Sequence, residues 1–103
     1  MDKSYILQQI KDSVSTTAPG ATLILFGSYA RGDHNEESDI DLLVLVDKDK
    51  VTHTEEDSIT YPLYDIEFRT GTLIHPVVYT KESWAKRSIT PFFQNVSKEG
   101  IIL

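Results

Sequence analysis

Gly27-Ser28 and Asp39-Ile40-Asp41 stand ten residues apart in the stretch LFGSYARGDHNEESDIDLLVLV, residues 25–46. If the second group opens a strand, successive side chains alternate faces, so Asp39 and Asp41 share one face roughly 7 Å apart along the backbone. Ile40 and Leu42 then point the other way. Aspartate is depleted in strands, and two like charges on one face repel, so the pair is costly unless something positive lies between them. A hard divalent cation meets that need. Magnesium takes oxygen ligands, keeps several waters and is commonly held by one or two carboxylates together with the phosphates of its substrate. Such ions stabilise the attacking and leaving oxygens of a phosphoryl or nucleotidyl transfer.

Gly27 and Ser28 supply the complement. A glycine closing a buried strand lets backbone approach a ligand, and a serine at a helix start offers a hydroxyl and nearby N–H groups to phosphate oxygens. Arg31 either adds a cationic fork to the phosphates or pairs with neighbouring acids among Asp33, Glu36 and Glu37. Each element alone reads as a solubilised strand end or an ordinary turn. Their combination, one closing a strand and the other opening the next, points to a ligand site. Two other phosphate motifs are excluded. GSYARGDH, residues 27–34, has P-loop glycine spacing but carries Asp33 and His34 where lysine and a hydroxyl are needed, and no G-x-G-x-x-G occurs.

The composition agrees with a small folded protein. The chain has 103 residues, enough for one domain spanning 1–103, with 40% hydrophobic and 25% charged residues. Sixteen acids against ten Lys and Arg give a net charge of -6, which disfavours a nucleic-acid duplex as partner but admits a phosphorylated small molecule bridged by a cation. Without cysteine there is no disulfide, thiolate metal site or thiol nucleophile, and a reducing cytoplasm is the expected compartment. No apolar stretch approaches the roughly 20 residues that span a bilayer, and MDKSYILQQI does not read as an export signal, so no membrane association is expected.

The elements that must position the pair follow from periodicity. Tyr5, Ile6, Ile10 and Val14 predict an amphipathic helix over 4–16, stopped at Ala18-Pro19-Gly20; residues 21–26 read as a short buried strand, 28–32 as a helical turn and 40–46 as a central strand. Residues 54–70 read as a helix capped by Thr54 and stopped by Gly71, despite Pro62; the alternative is a strand over 63–69. A strand within 72–80 follows, with Pro76 favouring an edge position, then a helix from Ser83 to Ser88. A last helix is capped by Thr90, with Pro91 at its first position and Gly100 as its stop. Strands separated by helical segments predict an α/β (α+β) domain with a small mixed sheet and helices packed against it.

The remaining candidates read as structure. His75, in an apolar strand, reads as a hydrogen-bonded structural residue, with metal ligand or base as the alternative. His34 and His53 are loop residues. Trp84, Phe92 and Phe93 form C-terminal core rather than a base-stacking platform, and Asp47, Asp49 and the acids 55–57 make a solvated rim. The apolar end Ile101-Ile102-Leu103 returns to the core or packs at an interface.

GSYARGD and SDIDLLV together resemble the signature of the DNA polymerase β-like nucleotidyltransferase superfamily, specifically its minimal nucleotidyltransferase (MNT) branch. The resemblance implies a polymerase β-like fold that binds an NTP, ATP foremost, with Mg²⁺, and transfers a nucleoside monophosphate to a hydroxyl with release of pyrophosphate. By the same resemblance Gly27 and Ser28 match the phosphate-binding pair, and Asp39 and Asp41 match the catalytic metal ligands. Some minimal members pair with a small all-helical HEPN toxin and act as antitoxins by adenylylating it. The family usually has a third carboxylate on a later strand, and here it is open: Asp65 or Glu67 serves if 63–69 is a strand, and no residue serves if that segment is helical. The alternative is then a degenerate module that binds nucleotide or a protein partner without catalysis. Larger members carry a helical domain for the acceptor, so a partner subunit or a second copy in a homodimer is expected to grip it.

Overall fold

The computed structural model describes residues 4–35 and 37–103. Residues 1–3, part of the polar N-terminus, and Glu36, one of the acids near Arg31, lie outside them.

Helix α1 (Ser4–Thr17) buries Ile6, Ile10 and Val14, a four-residue repeat that keeps one stripe against the sheet. Tyr5 falls outside that stripe and is exposed. Strand β1 (Thr22–Phe26) leads into one helical turn, α2 (Ser28–Arg31), and β2 (Ile40–Val46) returns antiparallel to β1. Helix α3 (His53–Thr70) crosses to β3 (Ile74–Thr80), which pairs parallel with β2. Helices α4 (Lys81–Ala85) and α5 (Pro91–Glu99) follow, and β4 (Ile101–Ile102) pairs antiparallel with β1. The sheet order is β3-β2-β1-β4, a mixed sheet with helices, as the periodicity and the resemblance both predict.

Alternation along β2 divides the core. Ile40, Leu42, Val44 and Val46 pack with α1 and α3 residues, including Ile6, Ile10, Leu63 and Ile66. Leu43 and Leu45 face the opposite side, where Trp84 and Val96 are buried with Phe92 and Phe93 against them. Each buried aliphatic side chain contributes about 1.5–3 kcal/mol, so both faces hold β2 at the centre. Trp84 stacks on Phe93 at 4.9 Å and meets Phe92 edge-on at 5.4 Å, which makes these aromatics core.

Several boundaries differ from the sequence reading. Residues 63–69 are helical, as the reading of 54–70 as a helix expects, but the cap of α3 is Thr52, two residues before the expected Thr54. Thr52 is extended and its hydroxyl accepts from the Glu55 amide, so the capping pattern is Thr52-x-x-Glu55. The Glu55 carboxylate meanwhile takes Lys48 at 2.8 Å, which holds it below the usual carboxylate range. Pro62 is accommodated because Ile59, Leu63 and Ile66 pin the helix around it. Helix α4 starts at Lys81 rather than Ser83, because Thr80 at the end of β3 accepts from the Ser83 amide. Strand β3 takes an edge, consistent with Pro76. The C-terminal triplet does two things: Ile101 and Ile102 extend the sheet with exposed side chains, while Leu103 packs on the core.

Helix α5 is bounded as expected, with Thr90 accepting from the Phe93 amide at 3.2 Å, Pro91 at its start and the Gly100 amide closing on Val96. Thr90→Ala is expected to cost about 1 kcal/mol. In thermal denaturation that appears as a drop in Tm of about 4–8 °C, and an unchanged Tm would show that the cap does not hold the helix.

Candidate functional site

The antiparallel hairpin of β1 and β2 brings the two sequence groups to one end of the sheet. Phe26, the last residue of β1, lies opposite Asp41, so Gly27 and Ser28 leave β1 where Asp39 and Asp41 enter β2. Asp41 shares the parity of Leu43 and Leu45 and faces the α4 and α5 side, and Asp39 has the same parity one step earlier. At this end that face is open, leaving Asp41 partly exposed while Leu43 beyond it is fully buried.

Gly27 is shaped around Asp41. Its φ of 77° and ψ of -155° lie where essentially only glycine is found. A Cβ built there would collide with Oδ2 of Asp41. The carboxylate thus fills the space the missing side chain leaves, and the Gly27-Ser28 backbone lies directly against it. Burial pushes the Asp41 carboxyl up; like charge on Asp39 adds to the shift, while His75 and Arg31 oppose it. An acid held in this way is stabilised by any cation that reaches it.

Arg31 takes the second of its two expected roles, pairing with acids. Its Nε donates to Asp33 at 3.2 Å and its Nη1 to Glu99 at 3.3 Å, fastening α2 to the end of α5. Both contacts are solvent-exposed and weak enough to exchange for a stronger anion. They also keep its guanidinium charged, with Asp33 the larger influence.

The third-acid candidates separate cleanly. Asp65 is exposed on α3, beside Gln9, Asp12 and Arg69, away from this face of the sheet. Glu67 accepts from the Ile74 amide at 2.8 Å and so secures the start of β3. Neither joins Asp39 and Asp41. His75 does: it is the register partner of Asp41 on β3, and its Nε2 donates to Oδ2 of Asp39 at 2.8 Å. It is hydrogen-bonded, as the sequence reading has it, but with its side chain 54% exposed and beside the acidic pair. The signal that could have found it is parity, since Asp41 and His75 are each the second residue of adjacent parallel strands. His34 stacks on Tyr29 at 4.1 Å, and His53 begins α3.

Two carboxylates beside a glycine-lined gap suit a magnesium ion that shares its coordination with phosphates. Among the described residues no three His, Asp or Glu side chains are gathered into a metal cage, so the protein's own donors leave such an ion mostly to water and substrate. A surface groove of about 400 Å³ lies elsewhere, lined in part by Lys11, Ser15, Gly20 and Ile102, at the opposite end of β1. No Asp or Glu side chain among the described residues lines it.

Across residues 7–91 the sequence matches the family model described as the nucleotidyltransferase domain. The chain belongs to this family. It is 40% identical over 98% of its length to a protein from Methanocaldococcus jannaschii named "Putative protein adenylyltransferase MJ0141", covering 98% of that relative. A second protein of that organism, "Putative protein adenylyltransferase MJ0604", is 38% identical over 79% of this chain and 75% of its own. A solved structure described as a "putative minimal nucleotidyltransferase" superposes with a TM-score of 0.65 and 25% identity, covering 100% of this chain and 97% of that one. The fold is also shared with a toxin–antitoxin complex solved with AMP-PNP, at TM-score 0.64 and 22% identity over 92% of this chain and 69% of that one. This nucleotidyltransferase has, among its described residues, no helix long and apolar enough to cross a membrane.

Proposed function

We propose that this nucleotidyltransferase transfers AMP from ATP to a hydroxyl of a protein acceptor. Asp39 and Asp41 hold Mg²⁺, Gly27 and Ser28 hold the triphosphate, and Arg31 exchanges its exposed acid partners for phosphate oxygens. The carrying observation is the close fit of the Asp41 carboxylate into the space left by Gly27, which joins the ion-binding and phosphate-binding halves in one lip. The acceptor oxygen forms a bond to the α-phosphorus as the bond to the pyrophosphate oxygen breaks, and the hydroxyl proton passes to solvent. Bound Mg²⁺ would supply charge neutralisation on the phosphates, and the chain's residues would orient them.

ATP and a protein acceptor are supported by the names of the two Methanocaldococcus relatives. A small helical HEPN-type toxin is the partner we favour, supported by the toxin–antitoxin complexes that share the fold, with a homodimer as the other way of gripping an acceptor. The site is cytoplasmic in this reading. Pyrophosphate release is measured from each NTP with Mg²⁺, with and without a helical partner. Release from ATP that rises with the partner supports the proposal, and background release under every condition contradicts it. Arg31→Ala is expected to raise KM for ATP about tenfold, the loss of one charge-assisted contact, with kcat little changed; an unchanged KM would leave Arg31 to its ion pairs alone.

A second reading has its own observation. Because Asp65 points away and Glu67 is bonded to the Ile74 amide, no third carboxylate stands with the pair among the described residues. A module that binds nucleotide and a protein partner without transfer would therefore show Mg²⁺-dependent ATP binding and no pyrophosphate.

A further inference from the structure

We infer that the outer face of α3 is a self-association surface, on which two copies of the chain pair antiparallel through Tyr61, Tyr64 and Phe68. This goes beyond the transfer chemistry and does not depend on it.

Helix α3 carries two stripes. Ile59, Leu63 and Ile66 turn inward to the core that holds Ile40 and Leu42, as an amphipathic helix requires. On the other side stand Thr54, Asp57, Tyr61, Tyr64 and Phe68, separated by steps of three, four, three and four residues. That is the heptad spacing with which one helix presents a continuous seam to another. All five are exposed, and the other exposed residues of α3 are polar. The three rings are far from incidental in area, with Tyr61 63%, Tyr64 43% and Phe68 88% uncovered. They fill no interior of their own chain, whereas a second helix would bury a large apolar surface on them.

Charge selects the occupant. The acid of this seam, Asp57, stands near the N-terminal end of α3, and the exposed Arg69 stands in its last turn. Antiparallel seams pair unlike heptad positions, so Tyr61 of each copy meets Tyr64 of the other. The same register places Asp57 of one copy opposite Phe68 and beside Arg69 of the other, at both ends of the seam. A parallel pair would instead set Asp57 against Asp57 and Arg69 against Arg69, which repel. The face is therefore complementary to itself in one orientation. Because α3 packs on the side of the sheet away from Asp41, the pairing leaves both lips open to nucleotide and acceptor.

An 18-residue helix is about 27 Å long, so a seam of this length lies at the small end of specific interfaces. The expected dissociation constant is about 10–100 µM.

The test is sedimentation equilibrium of the full chain across that range. A monomer–dimer equilibrium that weakens at least about tenfold in Tyr61→Ala with Phe68→Ala supports the inference. Since those side chains are exposed in the single chain, the melting temperature of the dilute variant should match that of the native protein. The register has its own check. Asp57→Arg and Arg69→Asp should each weaken self-association, and mixing the two variants should restore it as a mixed dimer, because every repelling end then meets its opposite. A chain that stays monomeric throughout overturns the inference and leaves the stripe to a different protein. A dimer that survives loss of the aromatic rings, or charge variants that fail to associate when mixed, overturns it as well.

Discussion

Replacing Asp39 and Asp41 together by alanine lowers ATP-dependent pyrophosphate release by about 10³-fold or more, to background. The size follows from what the ion contributes: several kcal/mol of charge stabilisation on the phosphates, at 1.36 kcal/mol for each factor of ten. The loss should be chemical rather than structural. Asp39 precedes β2 and its side chain is hydrogen-bonded to the exposed His75, while Asp41 is a partly desolvated acid whose removal relieves burial of a charge. The double variant is therefore expected to melt at or above the temperature of the native chain. Equal pyrophosphate release by variant and native protein would remove the enzymatic reading.

Gly27→Ala should damage both the fold and the site. The backbone conformation at Gly27 costs an L-residue about 1–3 kcal/mol, and the added Cβ also drives the Asp41 carboxylate out of its place. Gly20→Ala is the matching control. Gly20 has a φ of 83°, yet nothing lies within 4 Å of a Cβ built there. Its alanine variant should lose about 1–2 kcal/mol while keeping nucleotide affinity, whereas Gly27→Ala should lose both. Denaturant titration and ATP-analogue binding measured on the pair separate these effects. Equal binding by the two variants would mean that Gly27 serves only the turn.

The site's framework was legible because local chemistry carried it. The apolar runs TLILF and IDLLVLV specify strands flanking the motif loop, and the antiparallel pairing of β1 with β2 is what returns the aspartates to the end where β1 stops. Helix α5 was equally plain, since Thr90, Pro91 and Gly100 are each suited to one position of a helix terminus. The start of α3 was not, because Thr52-x-x-Glu55 and Thr54-x-x-Asp57 are two overlapping capping patterns one cannot rank without knowing how the chain leaves β2. Arg31 offered several nearby acids and chose Asp33 together with Glu99, a partner 68 positions away that proximity in sequence does not reveal. His75 was obscured for a similar reason. Its approach to Asp39 depends on the parallel register of β2 and β3, a long-range pairing that residues 72–80 do not encode by themselves. The same register shows why Glu67, an acid on the neighbouring helix, secures β3 instead of joining the pair.

The most direct measurement is a crystal structure of the chain with Mn²⁺ and a non-hydrolysable ATP analogue, with the metal located by anomalous scattering. The account predicts a manganese peak bonded to carboxylate oxygens of both Asp39 and Asp41, with the phosphates resting on Gly27 and Ser28. A nucleotide bound instead in the groove beside Lys11 and Ile102, with no metal at the two aspartates, would contradict it.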